Sequence, residues 1–486
     1  MSEALTRLIP LLREACGDDA VLTGDGERRD FDHDGITHRR SLPGVVVLPT
    51  TAEQVSAVLA LCSEHGVPFV PRGAGTGLSG GALPHREGVL LSTARMRRVI
   101  EIDPDNECAV VEPGVPNLDV TTAAAPHGYY YAPDPSSQAV CSVGGNVAEN
   151  SGGAHCLKYG FTATHVRGLE LVLPGGETVR LGGKAPDAPG YDLIRAIVGS
   201  EGTLGVVTQV TIGLTRLPEK TVTLLAAFDS LDAGGAAVSA IVSSGLLPSA
   251  IEMMDALSIE AVNALMDTDY PTDAAAVLIV ELDGPAPDVD AHLARVRDLC
   301  AEHAARATRT AADDGRARIW AGRKAAFDAV GAMSPAYIVQ DGVVPRTVLP
   351  RVLRAIADLS AETGVPVANV FHAGDGNLHP LVMFDDADPD GYRRAEEVSA
   401  AILDLCVAHG GSITGEHGVG TDKACSMPRM YSPDDLDTFD RFRRAFDPRG
   451  IANPDKLLPT PRLCGERPGV RRGVHPLVGS GRATQF

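Results

Sequence analysis

Four side chains are placed to do chemistry together: His372 and His379, seven residues apart in VFHAGDGNLHP, and the adjacent Glu416 and His417 in GEHGVG. Two imidazoles, a carboxylate and a third imidazole on a second segment could bind one divalent metal and keep a spare base. Gly374, Gly376, Gly415, Gly418 and Gly420 let both backbones run close to a ligand without a Cβ in the way. Any one of these histidines alone reads more simply as a hydrogen-bonded loop residue. Their number and setting mark a reaction centre.

At 486 residues the chain exceeds one ordinary core, so two or three domains must position these groups. Hydrophobic content of 44% and charged content of 22% belong to a folded globular protein. A net charge of -20 argues against nucleic acid or an anionic membrane surface as main partner, because both require basic patches. No stretch approaches the roughly 20 apolar residues of a membrane span. Glu3, Arg7, Pro10 and Glu14 stand where a signal peptide would be apolar. The N-terminus therefore reads as a short amphipathic helix, and a cytoplasmic chain is expected, or one held peripherally at a membrane by a partner. The nine cysteines are scattered and odd in number, without CxxC or iron-sulfur spacing, the usage of a reducing compartment. Electrons taken from a substrate must leave through another carrier.

Residues 1–40 read as an N-terminal helical segment. From 41 to 217 strand signals dominate: VVVLP (45–49), a helix AEQVSAVLALCSEHG closed by Gly66, and VPFVP (67–71) form a βαβ unit. RVIEID and CAVVEPG flank a turn at 103–106, and GLELVLPGGETVRL folds back at Pro-Gly-Gly. From 218 to 424, strands such as TVTLLAAF and AAAVLIVELDG alternate with Ala-rich helices over 289–307 and 347–364, an α+β layer. A short helical piece and FDPRGIANPDKLLP fill 425–460, and 461–486 is an aperiodic tail.

Three glycine-rich loops lie in the first stretch. PRGAGTGLSGG (71–81) contains a formal GxGxxG, yet Pro84 and the strand GVLLS follow where a Rossmann fingerprint must open a helix. What remains is a loop whose amides can converge on a pyrophosphate, with Arg72 for charge. APDPSSQAVCSVGGNVAENSGG (132–153) is too long for a turn, and its Asn146 and Asn150 offer donors and acceptors. GSEGTLGVVTQVTI (199–212) puts glycines before a strand. Three such loops imply a large cofactor.

The motifs PRGAGTGLSGG, PDPSS, GGNVAENSGG, GSEGTLGVVT, HAGDGNLH, GEHGVG and NPDKLLP together resemble the flavin subunit of glycolate oxidase and its D-lactate dehydrogenase relatives, within the vanillyl-alcohol-oxidase-type flavoproteins. The resemblance implies an α+β fold: a PCMH-type FAD-binding domain of two α+β subdomains (41–217), an α+β cap domain (218–424) and a C-terminal segment (425–460) returning to the flavin. It implies pyrophosphate contacts from Arg72, Gly73, Ala74, Gly75, Thr76 and Gly77. Further FAD contacts are implied at Asp134, Ser136, Ser137, Gly144, Gly145, Asn146, Asn150, Ser151, Gly153, Glu201, Val207 and Asn453. The metal ligands fall on His372, His379 and Glu416, with zinc the expected ion, and the active-site base falls on His417. Arg323, in RIWAGRK, matches the arginine for the substrate's proximal carboxylate, and Trp320 is expected to be a core anchor. The FAD is expected to be non-covalent, because Gly73 to Thr76 lack the histidine of tethered relatives.

The D-2-hydroxyglutarate branch holds a distal carboxylate with a lysine and an asparagine, and those places fall here on Val339 and Leu381. A second carboxylate would lack partners, so a small acid, glycolate or D-lactate, is the expected substrate. The implied mechanism is metal-assisted: His417 takes the hydroxyl proton as hydride passes from Cα to flavin N5. Other readings are a non-catalytic FAD-binding accessory subunit of a glycolate oxidase complex, a D-2-hydroxyglutarate dehydrogenase, and a nicotinamide-linked flavin reductase. The expected partners are the acid and an electron acceptor, whether quinone, cytochrome or iron-sulfur subunit, with an oligomer left open.

Overall fold

The computed structural model describes residues 2–37, 39–186, 189–268 and 270–460. They form two compact units, the first built from the chain up to Gly152, Phe161–Leu217 and the chain from Glu416 on, the second from Gly153–Gly160 with Pro218–Gly415. The C-terminal segment, expected from residue 425, thus starts already at Glu416. Residues 153–160 follow directly on the second glycine-rich stretch in sequence and pack in the second unit. The tail at 461–486 lies outside the described residues.

In the first unit, the helix Glu3–Cys16 starts at Ser2, whose side chain accepts from Leu5 N, and it buries Leu5, Leu8, Ile9 and Leu12 on one face. That face meets Val55, Val58, Leu59 and Cys62 of the helix Ala52–His65, which Gly66 closes in a left-handed conformation at φ 63°. The expected βαβ unit is present with one strand more than its local sequence shows. Val89–Ser92 lies between Val45–Val47 and Phe69–Arg72 and runs parallel to both. No helix follows the glycine loop that leaves Arg72, since the chain goes directly to Val89–Ser92. The two hairpins read from the sequence, Val99–Asp103 with Cys108–Val111 and Val166–Val172 with Thr178–Gly182, are joined into one antiparallel sheet by Val206–Gly213 between them. The C-terminal segment returns to the first sheet. Phe69 N donates to Ile451 O at 2.9 Å, and Asn453 N donates to Phe69 O at 2.8 Å.

The second unit is built on one large antiparallel sheet, in which Lys220–Phe228 pairs along its whole length with Ala276–Gly284. Strand alternation sends Leu224, Ala226 and Phe228 into one apolar layer and Leu225 and Ala227 into the other, so helices cover both faces. Each fully buried Leu or Phe contributes about 1.5–3 kcal/mol to that packing. Within the second layer sits Glu281, 1% exposed. Its carboxylate accepts from Thr223 Oγ1 at 2.8 Å, Arg316 Nε at 2.7 Å and Trp320 Nε1 at 2.6 Å, and lies 2.9 Å from His155 Nε2. Trp320 is therefore more than a core anchor, since it also stacks on His155. His155 holds residues 153–160 to this sheet together with Lys158 and Tyr159, which bind Asp283.

Burial alone would raise the Glu281 carboxyl, but the hydrogen bonds and charges of His155 and Arg316 prevail and hold it down at about 2. A carboxyl depressed in the fold from roughly 4.3 in the unfolded chain stabilises fully above that pH and loses its contribution as pH falls towards 2. Denaturant unfolding at pH values from 7 to 2 should show this slope in the wild type and a flatter one in Glu281→Gln. At pH 7, Glu281→Leu should destabilise by about 1–3 kcal/mol, because it removes the acceptor of the buried Trp320 Nε1 and Thr223 Oγ1.

Candidate functional site

The strand Val367–His372 ends at His372, turns through four residues and returns as Asn377–Leu378, with His372 and Asn377 directly opposite. The turn needs a glycine at Gly376, at φ 84°, where a Cβ would stand 2.1 Å from Val344 O. Opposed residues share a face, and His379, two residues on, falls on that face again. The two rings meet edge to face with centroids 5.0 Å apart, at 6% and 1% exposure.

Each histidine has a carboxylate near its Nδ1. His372 Nδ1 lies 2.8 Å and 2.9 Å from the two oxygens of Glu252, which is fully buried on the strand Ala250–Asp255. Arg323 approaches the same carboxylate from the helix Asp313–Lys324, with Nε at 2.8 Å and Nη2 at 2.7 Å from Oε2. Burial would raise the Glu252 pKa, but the charges and hydrogen bonds of His372 and Arg323 outweigh it and hold the group below its ordinary range. His379 Nδ1 lies 3.8 Å from Asp341, whose carboxylate also accepts from Thr414 Oγ1 at 2.5 Å and Gly415 N at 2.9 Å. The Glu252 carboxylate at Nδ1 orients the His372 ring so that Nε2 serves as the outward donor, the arrangement of metal-binding histidines. The donor chemistry therefore fits a divalent ion.

The sequence reading named His372, His379 and Arg323 in this unit and missed Glu252, Asp341 and Asn377. Glu252 left a signal, as an acid inside the apolar run AIEMMD, where an unpaired charge would be too costly to bury.

In the first unit, Arg72 Nη1 donates to His33 O at 2.6 Å, and its guanidinium sits over the Phe31 ring. A Cβ at Gly75, at φ 75°, would meet that guanidinium at 2.2 Å, and one at Gly73 would meet Ser142 Oγ at 2.2 Å. Between them Ala74 is exposed, and Thr76 and Gly77 are half-buried. Bare backbone of two glycine loops is thus packed together, as close approach to a flat, phosphate-bearing cofactor requires. Asp134 and Ser137 are half-buried and Ser136 is exposed. Gly144, Gly145 and Asn146 open the helix Val143–Glu149, where Ser142 Oγ accepts from Gly145 N. The Asn146 side chain pairs with Asn117 at 3.0 Å, Asn150 caps the helix end in a left-handed conformation, and Ser151 O accepts from Thr162 N. Val207 lies beside a bulge in its strand, and Gly153 belongs to the second unit.

Glu201 and Asn453 join separate loops. Asn453 Nδ2 donates to Gly81 O at 2.9 Å and to Glu201 O at 2.6 Å. The Glu201 carboxylate accepts from Val419 N and Gly420 N, each at 2.7 Å, so it fixes the segment just after Glu416 and His417. Burial raises Glu201 to about 7 and, with the Glu201 charge added, raises Glu149 well above its ordinary range. Glu416 lies against the second glycine loop, since a Cβ on Gly152 would come within 2.7 Å of its Oε2.

Comparison with known proteins agrees with this layout. Residues 43–182 match the family described as FAD binding domain, and residues 217–457 match FAD linked oxidases, C-terminal domain. The chain is 49% identical over 462 residues to glycolate oxidase subunit GlcD of Escherichia coli, covering 95% of this chain and 93% of that protein. It is 39% identical to the GlcD of Bacillus subtilis over 430 residues, with 88% and 92% coverage. To a D-lactate dehydrogenase of Anaerostipes hadrus it is 32% identical over 454 residues, with 90% and 94% coverage. Among solved structures, p-cresol methylhydroxylase with substrate bound superposes with a TM-score of 0.79 at 19% identity, covering 94% of this chain and 97% of that one. The 4-ethylphenol oxidase of Gulosibacter chungangensis in its isoeugenol complex gives 0.76 at 20% identity, with 94% and 98% coverage. These two show that the fold is PCMH-type, and the α+β expectation holds. No helix among the described residues is long and apolar enough to cross a membrane.

The glycine loops differ in what they tolerate. Gly75→Ala should weaken flavin retention by about tenfold, from left-handed strain and displacement of Arg72. A Cβ at Gly77 meets nothing in the protein closer than Glu149 Oε1 at 3.7 Å, so flavin loss in Gly77→Ala would report the cofactor's own approach to the loop. The flavin-to-protein absorbance ratio after gel filtration measures both.

Proposed function

The chain belongs to the family of FAD-linked oxidases, and from that membership we propose that it oxidises a small D-2-hydroxy acid, glycolate or D-lactate, to the 2-oxo acid. The observation that carries this reading is the buried pair His372 and His379 with Glu252 at Nδ1 of the first ring. Two buried imidazoles facing one another, the first oriented by Glu252, suit a divalent metal, with zinc the expected ion. Glu416 is the third ligand of the proposal. It directly follows Gly415, whose N–H is fixed on Asp341, so its Cα lies about 3.8 Å from that of Gly415. A bound divalent ion would polarise the α-hydroxyl and orient the acid.

The remaining roles fall to the chain's own groups. Arg323, with two nitrogens on Glu252, keeps Nη1 for the substrate carboxylate. His417 removes the hydroxyl proton as a general base. Non-covalent FAD, when bound, accepts the hydride from Cα. Selectivity for a short acid is supported by Val339 and Leu381, which are direct cross-strand partners, with Leu381 fully buried. A second carboxylate there would meet two apolar side chains. The matched GlcD proteins are named as subunits, which supports an assembly in which electrons pass to a partner acceptor.

Anaerobic reduction of the flavin by a panel of D- and L-2-hydroxy acids tests the substrate, with glycolate or D-lactate expected to exceed D-2-hydroxyglutarate by at least about tenfold. Replacing His372, His379 or Glu416 should strip metal and raise KM while lowering kcat. Glu252→Gln should weaken metal binding by about 10–100-fold. His417→Asn should keep FAD and metal and slow flavin reduction by about 10²–10⁴. A His417 variant that reduces at the wild-type rate would remove the base assignment, and a fully active metal-free protein would remove the metal.

A further inference from the structure

The side chain of Asn377 is 2% exposed, and neither its Oδ1 nor its Nδ2 has a hydrogen-bond partner. A primary amide can make four hydrogen bonds, and each buried group left unmade costs about 1–3 kcal/mol. Leucine would fill the same space at no such cost. The amide is also held in place: a Cβ on Gly415 would stand 2.6 Å from both its Cγ and Nδ2, so only glycine at 415 leaves room for it. It shares a face with His372, its cross-strand partner, and with His379. The backbone of Asn377 is pinned twice, by pairing with Val343 and by its N–H donating to Asp375 Oδ1 at 3.1 Å.

We propose that the Asn377 carboxamide is a substrate-binding group, donating from Nδ2 to a carboxylate oxygen of the 2-hydroxy acid. This rests on the hydroxy-acid reading above and adds a specificity-determining residue to it. Arg323 supplies the charge that attracts the carboxylate. Asn377 supplies a neutral, directed donor that tells a carboxylate from an apolar group without adding a second buried charge.

The test uses the full chain loaded with FAD and metal. Oxalate and the 2-oxo acid product are titrated as unreactive ligands, read by perturbation of the flavin visible spectrum, alongside anaerobic flavin reduction by glycolate and D-lactate. Asn377→Asp keeps the shape but puts a negative charge in place of the donor, and should weaken oxalate binding by about 10²-fold. Asn377→Leu should weaken it by about tenfold, and Asn377→Ser, the small polar replacement that keeps the measurement open should the leucine variant not fold, should fall in between. In all three, bound metal and FAD should match the wild type, and KM should rise more than kcat falls. Unchanged oxalate affinity in the aspartate variant overturns the proposal, as does loss of metal in step with affinity, which would assign the amide to the histidines instead. Failure of the underlying reading looks different, because the wild-type flavin would then be reduced by none of the acids.

Discussion

The chemistry of the second unit depends on one buried carboxylate. Glu252 has no exposure to water, so its charge must be balanced by protein, and Arg323 and His372 supply that balance from a helix and a strand on either side. The same contacts that make the charge tolerable fix the guanidinium and orient the imidazole. Stability and function are therefore one arrangement here: loosening it to relieve the burial would also turn the ring. Position 323 carries the heaviest constraint, since lysine could balance the charge but could not place two donors on one oxygen and still present a third.

A second constraint governs the short run from Glu416 to Gly418. Gly415 is tied by its N–H to Asp341, and Val419 and Gly420 are tied by theirs to Glu201. Three residues lie between two carboxylate clamps, and two of those three are the third metal ligand and the base of the proposed site. Anchoring Val419 and Gly420 on Glu201 lowers the conformational entropy this run has left to lose on meeting a ligand. This is why the segment can be rich in glycine without being loose: the glycines admit close neighbours, and the carboxylates supply the order.

Much of this was legible in the sequence because it is local. The helix Ala52–His65, its Gly66 cap and both hairpins are written in runs of a dozen residues or fewer, and the three glycine loops announce a cofactor through composition alone. The groups that escaped detection act at long range. Glu252 meets residues 71 and 120 positions away, and Asp341 meets residues 73 and 74 positions on. Asn377 was hidden by its company, since in HAGDGNLH it reads as a turn residue, and only its burial distinguishes it. Glu201, expected at the cofactor, also holds the segment after His417 through its carboxylate, a long-range contact that no local pattern shows. Insertion of Val89–Ser92 and Val206–Gly213 between earlier strands could not be read either, because pairing order is set by the sheet and not by the strand.

The polypeptide passes between the units four times, at 152/153, 160/161, 217/218 and 415/416, because residues 153–160 are lent to the second unit within the sequence of the first. Those eight residues supply His155 to Glu281 and both Lys158 and Tyr159 to Asp283. A gene segment encoding 218–415 alone would therefore deliver a sheet whose buried Glu281 lacks its histidine. The two halves cannot be traded between proteins by a single splice.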